Sequence, residues 1–140
     1  MNARQFFHLL SYLQYPLILI GLYFGLHPYW NGFQVDLEKI NHMLVFMGLS
    51  VSFSTLQDTA KTQNKLSRKI WEHPVKGKAF LIMLLLTVLV CFGFGSVGYF
   101  YAQESALKEL AAGLFVLGIG LIGMLKAAID MFEHHRKDKN

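Results

Sequence analysis

Apolar positions in this chain fall into four long blocks separated by short polar segments. The first runs from Phe6 to about His27 and the second from Ile40 to about Gln57. The third runs from Ala79 to Tyr101 and the fourth from Leu110 to about Ile129. A membrane-crossing helix needs about 20 mostly apolar residues, because the hydrocarbon layer is about 30 Å thick and each residue rises about 1.5 Å. The third block meets this most cleanly. The second is short and serine-rich, yet no charge interrupts it between Lys39 and Asp58. In lipid, a helix lets each backbone amide find its partner within its own segment. The pattern predicts an all-α, polytopic membrane protein. Residues 1–140 would form one domain of four transmembrane helices, arranged as two hairpins in a four-helix bundle. Arg4 before an apolar run resembles a signal peptide, but no small-residue cleavage site follows Leu26, so the first block reads as an uncleaved helix.

The segment 58–78 is polar and basic. It contains no Pro or Gly between Asp58 and Glu72, and Leu66, Ile70 and Trp71 are spaced for one helical face. The second helix is expected to continue into it, or a short helix to lie on the membrane surface. Pro74 and Gly77 are expected to break that helix before the third span.

Charge then orients the blocks. Lys61, Lys65, Arg68, Lys69, Lys76 and Lys78 lie between the second and third, whereas the other two connections hold only Lys39 and Lys108. Lysine and arginine accumulate on the cytoplasmic side. The central segment and both termini are therefore expected in the cytoplasm, with the chain multi-pass in a plasma membrane of the bacterial inner-membrane kind. Tyr29, Trp30, Tyr99 and Tyr101 would mark the outer boundary, where rings with a polar edge are favoured. The net charge of +4 sits beside apolar blocks. That suits anionic lipid headgroups, or a cytoplasmic partner, better than nucleic acid.

Shifting the sequence by 70 residues, half its length of 140, aligns the two hairpins without gaps. Leu19 then meets Leu89, Phe24 meets Phe94, Gly25 meets Gly95, Tyr29 meets Tyr99, Leu44 meets Leu114 and Gly48 meets Gly118. This suggests a tandem repeat; the competing explanation is two hairpins sharing membrane composition. A true repeat would relate the halves by an axis along the membrane normal.

Small residues nominate packing surfaces, since helices in lipid associate by close backbone approach. Gly21 and Gly25 form a GxxxG, Gly95 and Gly98 crowd the third span, and Gly113, Gly120 and Gly123 recur in the fourth. Packing within the bundle and self-association into a homo-oligomer both follow from such faces.

The second span is the candidate for function. Asn41, Gly48, Ser52, Thr55 and Thr59 form one stripe at 100° per residue, while Ser50, Ser54 and Gln57 lie roughly opposite. A helix polar on two sides is expected to be surrounded by protein or to line water. The hydroxyls either bond their own helix carbonyls or form a polar path for ions or small solutes, with Asp58 biasing its mouth toward cations. Lys126 is expected to pair with Asp58, to snorkel, or to pair with Asp130 one turn on.

Six histidines raise the question of a metal. His27 and His42 share the outer side near Asp36 and Glu38 and are candidates for a divalent site, although interfacial capping by imidazole is the simpler expectation. No cofactor is expected. The lone Cys91 lies in an apolar run and reads as packing. No nucleophile elbow, P-loop, HExxH or dinucleotide fingerprint is present, so no catalytic residue is nominated. Three functional classes follow. The chain could be a self-associating channel or transport unit with the second helix central. It could be a non-catalytic accessory or scaffold subunit using the basic segment, or, least favoured, a membrane enzyme or redox subunit.

Overall fold

The computed structural model describes residues 3–57 and 65–137, all helical or connecting turns. Six helices follow in order: α1 (Ala3–Ser11), α2 (Gln14–Trp30), α3 (Leu37–Ser54), α4 (Lys65–Glu72), α5 (Pro74–Tyr101) and α6 (Ser105–His135). Among the described residues, three stretches are long and apolar enough to cross a membrane: Gln5–Trp30, Pro74–Tyr101 and Ser105–His135. This is compatible with a small integral membrane protein. The expected count was four, and α3 is the helix that falls short. Its first two turns carry Glu38, Lys39, Asn41 and His42, and serines follow at 50, 52 and 54.

Local chemistry sets the helix ends. Proline has no N–H, and its ring collides with the carbonyl four residues back. Pro16 therefore interrupts the ladder at Tyr12, and the chain turns at Tyr12 and Leu13 between α1 and α2. After α2, Gly32 adopts φ +69°, a left-handed conformation that glycine takes without steric penalty, and Phe33 follows at φ +60°. Asp36 caps α3 by accepting from the amides of Glu38 and Lys39 at 3.0 and 3.4 Å.

Several sequence expectations need correcting. The helix expected over 40–57 runs over 37–54, and residues 55–57 form a turn. It does not continue as one helix into the polar segment; of the two expectations, the separate short helix is the one found, as α4. Pro74 does separate α4, which stops at Glu72, from the third span, but Gly77 breaks no helix. Pro74 opens α5, where its missing N–H costs nothing. Gly77 lies inside α5 because a side chain there would strike the Phe132 ring.

The long helices pack in the row α2, α3, α6, α5. Neighbours within each hairpin are antiparallel, and the central pair is parallel. In hairpin one, Gly21 faces Met47 and Gly25 faces Met43. In hairpin two, Gly98 faces Ala111, Gly95 faces Ala111 and Phe115, and Gly118 faces the Phe92 ring. Between the hairpins, Asn41 meets Gly113, Gly48 and Ser52 meet Gly120, and Thr55 meets Gly123. Apolar burial concentrates at the α5–α6 side, in Leu84, Val88, Cys91, Leu121, Ala128, Phe132 and Trp71 of α4.

Candidate functional site

The hydroxyls of Ser50, Ser52, Ser54 and Thr55 have definite partners. The stripe Asn41, Gly48, Ser52 and Thr55 faces α6. A Cβ on Gly48 would lie 2.8 Å from the Leu117 backbone, and one on Gly120 would strike the Gly48 carbonyl. The two helices thus touch backbone to backbone at mid-height, and the stripe closes a seam there. Ser52 donates to the Gly48 carbonyl (2.9 Å), Ser54 to that of Val51 (2.6 Å) and Thr55 to that of Ser52 (2.7 Å). Ser50, on the other side, reaches across to the Gln14 carbonyl of α2 at 2.9 Å. Asn41 Oδ1 is buried against Gly113 without a hydrogen-bond donor.

Below the seam, α2, α3, α4 and α6 diverge around a cavity of about 220 Å³. Gln14, Ser54, Thr55, Gln57 and Trp71 line it, together with Met124, Ala127, Ala128 and Met131. Asp58, expected at this mouth, and Thr59 lie outside the described residues. Lys126 pairs with Asp130 at 2.6 Å.

The same end of the molecule carries a basic platform built on α4. Trp71 anchors that helix: it is 6% exposed, packs edge-on against Phe80 at 5.3 Å and donates its indole N–H to Ser67 Oγ at 2.9 Å. Glu72 then pairs within α4 and ties that helix to the chain just past α6. It accepts from Arg68 Nε at 2.5 Å and from Lys137 Nζ, just past α6, at 2.8 Å. Those hydrogen bonds, from Arg68 first and Lys137 next, hold its carboxyl down to about 2. Beside this knot lies a cleft of about 510 Å³ lined by Lys69, Glu72, His73, Pro74, Lys76 and Lys137. Lys69 and Lys76 have no ion-pair partner among the described residues.

Of the basic residues singled out from sequence, Lys69 and Lys76 enter the cleft, and Arg68 supports it through Glu72. Lys65 and Lys78 are exposed away from its lining, and Lys61 lies outside the described residues. Sequence reasoning missed Glu72 as the hub and Lys137 as its long-range partner. The one available signal was the i,i+4 spacing of Arg68 and Glu72. The histidines do not converge. His27 Nε2 pairs with Asn31 at 3.1 Å, and His42 Nδ1 with the Glu38 carbonyl at 2.7 Å, its ring stacked on Phe24. No group of three His, Cys, Asp or Glu side chains able to hold a metal occurs among the described residues.

No protein family, characterised protein or solved structure matches the chain. The functional reading therefore rests on the geometry alone.

Proposed function

We propose that this is a non-catalytic accessory or scaffold protein of a membrane, whose working surface is the basic α4 platform. The observation that carries this reading is the pinning of α4. Trp71 and Glu72 fix a cationic cleft in place against α5 and the end of α6. A solvated charge run would need neither. In this reading the α4 end and both termini face the cytoplasm of a plasma membrane, because lysine and arginine cluster there. α3 completes a fourth crossing, shielded by α2 and α6. The bilayer itself is the first partner, and copies associate through outward faces.

The cavity under α3 favours a second reading, a solute path with the α4 end as its vestibule. The two readings differ at mid-height. Single cysteines at 52, 55 and 57 in a Cys91→Ser background separate them by reaction with a small water-soluble thiol reagent. The scaffold reading expects labelling at 57, at the cavity mouth, and protection at 52, with flux through proteoliposomes at the leak level. Reaction at 52 together with solute flux would replace it with the transport reading.

A further inference from the structure

The cleft and the outer face of α5 form one continuous surface of two chemistries. The cleft holds three lysines against the single carboxylate of Glu72, with His73 at its edge. Lys76 belongs to the cleft and also opens a stripe down α5. Ala79, Met83 and Leu86 follow it at helical spacing of three and four residues, and all are exposed, Met83 by 53% and Leu86 by 57%. From Lys76 to Leu86 the helix rises about 15 Å, half the hydrocarbon thickness. A cationic pocket above an apolar strip one leaflet long matches an anionic phospholipid, with its phosphate above and its acyl chain below.

We infer that one anionic phospholipid of the α4-side leaflet binds here. Its phosphate sits among Lys69, Lys76 and Lys137, and an acyl chain lies along Ala79, Met83 and Leu86. This rests on the platform reading and gives the platform a specific occupant. Glu72 contributes by holding the Lys137 ammonium at the rim of the cleft, with Arg68 sharing the carboxylate so that Lys137 keeps charge to offer. A soluble acidic protein or a free phosphate would use the lysines and leave the stripe idle.

The test is lipid counting by native mass spectrometry on the detergent-purified full chain. The probes are dioleoylphosphatidylglycerol, dioleoylphosphatidylcholine and inorganic phosphate. A lysine near a membrane surface is worth about five-fold in affinity for anionic lipid. The Lys69→Gln/Lys76→Gln/Lys137→Gln variant is therefore expected to lose phosphatidylglycerol by about a hundred-fold. Lys108→Gln, at the far end, should bind as the parent does. Phosphatidylcholine should bind weakly to both, and inorganic phosphate should not displace phosphatidylglycerol. Lys69→Gln and Lys76→Gln, which break no ion pair, give about five-fold each should the triple variant misfold. Displacement by inorganic phosphate would overturn the lipid inference and leave the cationic platform standing. Equal binding of the two lipids with no phosphate binding would overturn both.

Discussion

α3 and α5 sit in the same row of helices and differ in almost every other respect. α5 ends the row. Leu86, Leu89 and Phe94 are more than half exposed, and its mean hydropathy is the highest of the spans. α3 lies between α2 and α6, and Leu49, at 38%, is its one large apolar side chain that is exposed. A helix shielded by protein on two sides can carry Asn41 and three serines, because their polar groups face carbonyls and glycines rather than acyl chains. For these two helices hydropathy follows how much of the surface faces outward, although α6, which is also central, is more apolar than α2 at the other end of the row. It does not measure how central the helix is. The least apolar of the four long helices is one of the two at the centre of the packing.

The sharpest way to break this comparison is to pry α3 from α6. A side chain at position 120 would enter the Gly48 carbonyl, and backbone cannot swing aside as a side chain can. Gly120→Leu is expected to lose about 3 kcal/mol or more, the upper range for overpacking. The check is reversible unfolding in mixed micelles. Gly21→Leu is the comparison, since its neighbour is the flexible Met47 side chain at 3.2 Å; about 1 kcal/mol is expected there. Equal losses at the two positions would show that the α3–α6 seam is not the tighter one.

Next in size is the anchor of α4. Trp71→Ala removes a buried aromatic side chain, a change that costs about 3 kcal/mol in a packed core. Here the loss should be local: faster hydrogen exchange across 65–72, with α5 and α6 little changed. The Glu72 knot adds a pH signature. Its carboxyl lies at about 2, against an ordinary 4.5. A depressed carboxylate stabilises fully above the ordinary value and loses that contribution as pH falls through the lower one. The Glu72 pairing should therefore add no pH-dependent step to exchange in α4 between about pH 5 and 8. A Glu72-dependent step inside that window would contradict the pairing.

How much of this was legible in the sequence depended on whether a signal was periodic or relational. The blocks announced helices, and the spread of glycines announced close packing. The two polar sides of α3 announced a helix enclosed by protein or lining water, without deciding between them. The sequence pattern could not say which neighbour each side would meet, because that depends on the order of helices in the row. Helix ends were legible only where one residue dictates them. Pro16 and Asp36 each explain a boundary, while Pro74 can end a helix or begin one. The cleft was least legible. Lys69 and Lys76 stood out by charge, but Lys137 joins them from 65 residues beyond Glu72. The α3–α6 seam adds one relation of register. The residues facing each other across the α3–α6 seam are 68 to 72 apart in sequence. That brackets the 70-residue shift that best aligns the two halves, and two parallel copies packed level about an axis along the helices would give the same register.

A smaller effect separates the two sides of α3 itself. The Ser50 hydroxyl bridges to α2, whereas the Ser52 hydroxyl bonds within its own helix. An interhelical hydrogen bond in a membrane protein averages about 0.6 kcal/mol. Ser50→Ala should lose about that much. Ser52→Ala should be neutral, since the Gly48 carbonyl keeps its ladder bond. A larger loss at 52 than at 50 would mean that the α6-facing hydroxyl has a role beyond its own helix.

The smallest expected effect on the fold lies at Gly93, and it bears on association between copies. Gly93 is exposed on α5, with no atom within 4 Å of where a Cβ would sit; the other span glycines each meet a neighbour in the chain. Gly93→Leu should change the stability of the single chain by no more than about 0.5 kcal/mol, as for exposed substitutions away from special features. An outward glycine is also where a second copy could approach most closely. Sedimentation of the parent and the variant in the same detergent separates the possibilities. A parent dimer that becomes monomeric in Gly93→Leu would place the contact on the outer face of α5, next to the proposed acyl-chain strip. An unchanged dimer would move the contact to α2, the other exposed end of the row.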